Sequence, residues 1–307
     1  MKEEVADAAI IGGSYAGLSA AMALGRSVRN TLVFDDDKPC NRFTPHAHNI
    51  LTLDGEAPGA IREKAIRQVD AYPTVRRIGS RITGIERHEA FFTLQNQAGE
   101  TWKAKKLILA TGVRDLLPEI PGFAETWGKT VVHCPYCHGY ELRGQKTALM
   151  ANGEMAFHLI KVLANLAQDL TLVTNGPSAL TAEQTAALSA KNIAVIEKEI
   201  VHLDQHEGYI RRVHFADGEL LDLSVLYAKI PFAQSSSIPA TLGLDFDEHG
   251  FVKVNDFQAT SVPGIYAAGD MTSMGRSVVM AMAAGIRAGV SVNNELSGEA
   301  FEKAGNL

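Results

Sequence analysis

The chain has little cysteine, three residues among 307. Three thiols cannot build the cross-linked framework of a small secreted domain, so stability must come from an apolar core and a reducing compartment is expected. An excess of positive charge is also missing. Lys and Arg total 29 against 35 Asp and Glu, a net charge of −6, which excludes the basic footprint that nucleic acid demands. The longest apolar run, Val278 to Val290, is interrupted by Arg287 and is too short to span a bilayer, so no membrane association is expected. Met1 to Asp7 is acidic and lacks the apolar core of a signal peptide, and a cytoplasmic location is the expectation. No second Cys/His pair stands at ligand spacing, which argues against a four-ligand structural zinc site. No metal is expected.

What remains is an ordinary globular composition, 46% hydrophobic and 21% charged, long enough for two domains with real cores. Two of the three cysteines fall together in Val132-His133-Cys134-Pro135-Tyr136-Cys137-His138-Gly139-Tyr140-Glu141. A C-x-x-C pair can close to a small, reducible disulfide, and His138 adds a group that titrates near neutral pH. Zinc binding, a glutaredoxin-type site and an inert buried pair are the competing readings. The glutaredoxin-type Cys-Pro-Tyr-Cys opens a small domain near its N-terminus, whereas this one lies in mid-chain beside βαβ patterns, which favours redox chemistry. His138 can act as an imidazolium that steadies the adjacent thiolate or as a base toward an incoming thiol. His133, at a strand end, is expected to meet solvent. Cys40 has no partner at disulfide spacing and reads as inert.

The N-terminal segment has the dinucleotide-binding order of strand, Gly-rich turn, helix, strand and acid. Ala8 to Ile11 is a buried strand, Gly12-Gly13-Ser14-Tyr15-Ala16-Gly17 the turn, Leu18 to Leu24 a helix, and Thr31 to Phe34 a strand ending in Asp35. Glycines let the backbone approach a pyrophosphate at the helix start, and the acid takes ribose hydroxyls. Ser14 replaces the second fingerprint glycine with the smallest side chain that still permits that approach. From Val75 to Leu109 a meander of short strands is expected (Arg81-Ile82-Thr83, Phe91 to Leu94, Lys106 to Leu109), running into Ala110-Thr111-Gly112. A second βαβ pattern starts at Lys146 to Met150, but its turn, Ala151-Asn152-Gly153-Glu154-Met155-Ala156, retains one glycine and adds an acid where a pyrophosphate would lie. After its second strand, Leu170 to Thr174, neither an acid nor arginines favour NAD or a 2′-phosphate. Val262 to Asp270 holds a strand ending in Gly-Asp ahead of a small-residue helix expected from about Gly275 to Leu296.

In this order the motifs closely resemble the low-molecular-weight thioredoxin-reductase-like flavoproteins, class II of the pyridine nucleotide-disulfide oxidoreductases. The markers are Gly12 to Gly17 with Asp35, Ala110-Thr111-Gly112, Cys134-Pro135-Tyr136-Cys137, and Thr260 to Asp270. The resemblance implies an α/β protein of two Rossmann-like three-layer domains. A split FAD domain, 1–116 and 246–307, would hold an inserted nicotinamide-binding-like domain, 117–245, that carries the C-x-x-C. It implies that Gly12, Gly13, Gly17 and Asp35 hold the ADP half of FAD and Asp270 its ribityl-pyrophosphate region. Ser14, Ala16, Asn41, Arg42, His48, Ile82, Ala110, Thr111, Gly112, Gly269, Ser277 and Val278 complete the implied cofactor set. Cys134 would exchange with a partner's sulfurs, Cys137 would face the flavin, and His138 would be the third catalytic residue. A homodimer, and a thioredoxin-like protein or small dithiol as partner, are further implications.

Departures from the reductase pattern are informative. His138 replaces the usual aspartate, Arg276-Ser277 replaces Arg-Gln, and the basic clamp for NADPH is missing. Cys-x-x-Cys-His-Gly-Tyr-Glu looks more like the branch containing dithiol oxidases, which close small-molecule dithiols and pass electrons to oxygen. The leading expectation is an FAD-dependent thiol-disulfide oxidoreductase, with use of NAD(P)H left open. An oxygen-dependent dithiol oxidase and a flavin-based redox sensor are the alternatives.

Overall fold

The computed structural model describes residues 5–305 except 168, in two units. The first contains Met1–Cys40, Gly59–Arg114 and Phe232–Leu307, the second Asn41–Pro58 and Asp115–Pro231. The chain begins with β1 (Val5–Ile11), α1 (Tyr15–Arg26), β2 (Thr31–Phe34), a 3-10 turn (Cys40–Phe43), α2 (Pro58–Val69) and β3 (Val75–Ile78). Strands β4 (Ile82–Arg87), β5 (Phe92–Asn96), β6 (Thr101–Leu109) and β7 (Val113–Asp115) follow. Next come α3 (Phe123–Thr126), β8 (Val131–Val132), α4 (Pro135–His138), β9 (Lys146–Met150), α5 (Gly153–Leu163) and β10 (Asp169–Val173). Then α6 (Ala182–Ser189), β11 (Ala194–Ile196), β12 (Ile200–His206), β13 (Tyr209–Phe215), β14 (Leu220–Asp222) and β15 (Val225–Ala228). The remainder is β16 (Phe232–Gln234), α7 (Ile238–Thr241), β17 (Ile265–Ala267) and α8 (Val278–Gly305).

In the first unit β1 is buried over most of its length, as a strand covered on both faces must be. It pairs in parallel with β2 and β6, and β2 with β3, giving the order β3-β2-β1-β6. Strand β6 is shared. Leu107–Leu109 pair in parallel with β17, while Thr101–Ala104 pair antiparallel with β5, which in turn pairs with β4. The expected meander is therefore real from 82 to 109. Val75–Ile78 instead joins the parallel sheet, because α2 supplies the crossover that a parallel neighbour of β2 requires.

Helix α8 lies against α1 through small residues. A Cβ on Gly285 would fall 2.0 Å from the Ala16 carbonyl oxygen, and one on Gly289 would fall 2.7 Å from that of Ala20. Backbone cannot retreat cheaply, so Gly285→Ala is expected to destabilise the protein by about 2 kcal/mol and lower Tm by several degrees, read by thermal unfolding. The helix starts three residues later than its sequence pattern suggests, where Ser277 Oγ accepts from the Met280 amide at 3.2 Å. It also runs on past Leu296 to Gly305, since Glu295 and Glu299 on one face both pair with buried Lys106 of β6.

The second unit holds a five-stranded parallel sheet, β11-β10-β9-β15-β8, and a three-stranded antiparallel sheet, β12-β13-β14. Helix α5 buries Ala156, Ile160 and Leu163, spaced four and three apart on one face. Helix α6 opens on a full capping box between Thr181 and Gln184. Two segments group differently from the sequence reading. Residues 41–58 go with the second unit, where Thr44 Oγ1 donates to the Gly128 carbonyl at 3.0 Å. Residues 232–245 go with the first, since Ile238 and Leu244 enter its core. Among the described residues no helix is long and apolar enough to cross a membrane.

Candidate functional site

In the first unit the turn between β1 and α1 is shaped by backbone approach. Gly12 has φ +109°, and a Cβ there would lie 2.2 Å from the Ala110 carbonyl oxygen. A Cβ on Gly17 would lie 1.8 Å from the Gly12 oxygen, and one on Gly13 2.8 Å from the Asp35 Cβ. Only glycine fits at the first two. Ser14, the residue before α1, makes no side-chain cap bond, and the first turn carries no acid. The positive end of α1 thus keeps its affinity for an anion. Arg62 of α2, which sequence reasoning did not single out, pairs with Asp35 and with Asp37 and donates to the Gly13 carbonyl at 3.3 Å. It ties the acid at the end of β2 to the glycine turn.

The other residues read from sequence around this turn fall as follows. Ala16 packs on Gly269 and Gly285, and Ile82 is buried. Thr111 Oγ1 donates to Met271 Sδ at 3.7 Å, and Gly112 and Gly269 both have positive φ. Asp270 lies 3.7 Å from Arg276, which also donates to Cys40 Sγ at 3.1 Å. Cys40 is thus next to a cation rather than in neutral surroundings. Val278 opens α8. Asn41 and Arg42 lie in the 3-10 turn, whose Cys40 belongs to the first unit, while Asn41, Arg42 and His48 group with the second.

In the second unit Cys134 and Cys137 form a disulfide, Cα–Cα 5.3 Å. Cys134 is the N-cap of α4 with Pro135 at its first position, and its Sγ accepts from the Cys137 amide at 3.1 Å. A thiolate at that position is favoured by the helix end. Gly139 closes the turn where a Cβ would meet the Pro135 oxygen at 2.2 Å. His138 Nε2 lies 2.9 Å from Thr44 Oγ1, and its Nδ1 is buried and makes no hydrogen bond of ordinary geometry. Burial pushes the His138 pKa below its ordinary 6.5, with His48 adding to the effect and the Cys134 backbone and Glu141 opposing it. Burial thus favours the neutral ring over the imidazolium that the sequence also allowed. His48, read from sequence as a cofactor residue, faces Asp54 at 3.5 Å and Glu141 at 3.6 Å. His133 stacks on Trp127 with ring centroids 5.7 Å apart.

The second βαβ turn is closed by its own side chains. Asn152 caps α5, its Oδ1 accepting from the Gly153 and Ala179 amides at 2.8 Å each, while its Nδ2 donates to the Pro177 carbonyl. Glu154 sits in the first turn and accepts from Gln184 at 2.5 Å. A diphosphate would meet a carboxylate and an occupied amide.

Residues 6–285 match a family model described as pyridine nucleotide-disulphide oxidoreductase. The chain belongs to that family. It is 37% identical over 305 residues to thioredoxin reductase tcpT of Claviceps purpurea (strain 20.1), covering 95% of this chain and 94% of the relative. It is 32% identical over 310 residues to thioredoxin reductase sirT of Leptosphaeria maculans, again 95% and 94%. The crystal structure of an oxidoreductase from Agrobacterium tumefaciens superposes with a TM-score of 0.89 at 36% identity, over 95% of this chain and 99% of that one.

This family member is an FAD-dependent thiol-disulfide oxidoreductase of thioredoxin-reductase type. Its first unit fits the cofactor. The close approach at Gly12 and Gly17, with the unneutralised start of α1, leaves the backbone shape that a pyrophosphate needs. The turn before α5 has no comparable shape.

Proposed function

We propose that this oxidoreductase takes electrons from a dithiol at Cys134–Cys137 and has given up pyridine nucleotide as its electron donor. The single observation behind this reading is the self-occupied start of α5, where Asn152 and Glu154 stand in place of a phosphate site. Gly12, Gly13, Ser14, Gly17 and Asp35 are assigned to the ADP half of FAD, and Asp270 to its middle. FAD, when bound, supplies a two-electron acceptor for the reduced cysteine pair.

The chain's own residues perform the exchange. Neutral His138 takes the proton of an incoming thiol, and the thiolate attacks Cys134 Sγ. A new S–S bond joins substrate and Cys134 as the Cys134–Cys137 bond breaks, and Cys137 departs as a thiolate. His138 releases that proton to solvent and takes the proton of the substrate's second thiol, whose thiolate attacks the substrate's first sulfur in the mixed disulfide and releases Cys134 as a thiolate. The product is a disulfide, and the electron pair rests on Cys134 and Cys137. A small dithiol is the proposed substrate and oxygen the final acceptor. We also assign a FAD domain interrupted by the disulfide-bearing insert, in a cytoplasmic homodimer.

Because the His138 pKa is lowered, the base is lost only as pH falls below about 6.5. kcat/KM for a dithiol should be flat above neutrality and decline in acid, and His138→Gln should cost roughly 100-fold in kcat and abolish that acid limb. A pH–rate profile of both proteins measures this.

Similarity to the thioredoxin reductases of Claviceps purpurea and Leptosphaeria maculans supports a second reading, reduction of a thioredoxin-like disulfide. Anaerobic stopped-flow titration of the holoenzyme separates the two. Dithiothreitol should bleach the flavin's visible band rapidly and NADPH or NADH should not. Rapid bleaching by either nucleotide would overturn the proposal.

A further inference from the structure

Although it rests on the base role just proposed for His138, one positioning residue can be assigned and tested independently. The geometry points to Thr44 as the group that fixes the tautomer of His138, holding the proton on Nε2 and leaving Nδ1 as the base.

Thr44 Oγ1 has two neighbours, the Gly128 carbonyl at 3.0 Å and His138 Nε2 at 2.9 Å. A carbonyl only accepts, so the hydroxyl proton goes to Gly128. The oxygen then presents lone pairs to the ring, and the short contact is satisfied when Nε2 donates. The carbonyl is held in place. Gly128 has φ +80°, a Cβ there would lie 2.9 Å from the Phe43 backbone, and its amide donates to Val131 O at 2.9 Å. Nδ1, the remaining ring nitrogen, is buried and makes no hydrogen bond of ordinary geometry, although the Cys134 backbone acts on the ring as a competing acceptor. A lone pair there is ready to receive a thiol proton.

Burial is the main cause that keeps the ring neutral. His48, from the 41–58 segment, acts to keep His138 deprotonated, while Glu141 and the Cys134 backbone oppose it. Glu141 and Asp54 also face His48. Sequence reasoning could not single out Thr44, which lies 94 residues from the ring it touches.

The test is long-range proton–nitrogen correlation NMR on oxidised, histidine-labelled full-length holoprotein above neutral pH, with the His138 signal identified by its loss in His138→Gln. The expected wild-type pattern is the Nε2–H tautomer. Thr44→Val should convert His138 wholly or partly to Nδ1–H, with kcat for dithiothreitol falling roughly 10- to 100-fold and KM changing little. Thr44→Ser should restore the tautomer, and kcat to within about threefold. A wild-type Nδ1–H pattern, or Nε2–H persisting in Thr44→Val, would overturn the assignment. If the valine protein does not fold, the wild-type spectrum alone decides. An Nε2–H pattern in an enzyme that never oxidises dithiols would sink the proposed function and leave the tautomer assignment standing.

Discussion

Cys137→Ser protein is expected to accumulate as a mixed disulfide through Cys134, with turnover reduced on the order of a thousandfold or more. The asymmetry follows from α4. Cys134 caps the helix and its sulfur accepts from the amide of residue 137, a bond that serine at 137 preserves. Its thiolate therefore remains favoured and nucleophilic. Serine at 137 leaves no Cys134–Cys137 bond for a dithiol to attack, so dithiol oxidation stops, while an added disulfide is held on Cys134 because no neighbouring sulfur can displace it. Incubation with glutathione disulfide followed by peptide mass mapping should place one glutathione on Cys134. The reciprocal variant, Cys134→Ser, should carry none there and should also be inactive. Wild-type turnover in either protein would remove the disulfide from the mechanism.

Gly17→Val protein is expected to fold but to purify without colour, its FAD affinity lowered by 100-fold or more, roughly 3 kcal/mol. Any Cβ at 17 would sit 1.8 Å from the Gly12 oxygen, so the glycine turn itself must move. That turn carries the backbone assigned above to the pyrophosphate. Gly59→Ala serves as the control, because a Cβ there meets nothing within 4 Å. The ratio of visible flavin to protein absorbance, with circular dichroism to confirm folding, measures both. A yellow Gly17→Val protein would relocate the cofactor.

Much of this was readable in the chain. Two apolar runs followed by turns and helices announced both parallel sheets, because continuous burial leaves an apolar signature in residues 8–11 of β1 and 148–150 of β9. The Cys134–Cys137 spacing matched a closed disulfide, since one helical turn brings the two sulfurs together. Other features left no mark. Arg62 reaches Asp35 across 27 residues and Thr44 reaches His138 across 94, and neither has a neighbouring pattern that betrays its partner. His48 was assigned to the cofactor by resemblance, and it faces Asp54 and Glu141 of the disulfide-bearing unit. The lowering of the His138 pKa left no mark for a related reason, since burial is a property of the assembled fold.

Local chemistry, then, was written in the order of residues. Glycines where only backbone fits, two thiols one turn apart and an eroded second nucleotide turn are short-range features, and chain connectivity alone brings their parts together. The protonation state of His138, the closure of α5 by Asn152 and the clamp of Arg62 on Asp35 depended on segments distant in sequence meeting in space. Desolvation and hydrogen-bond partners arise only once those segments pack.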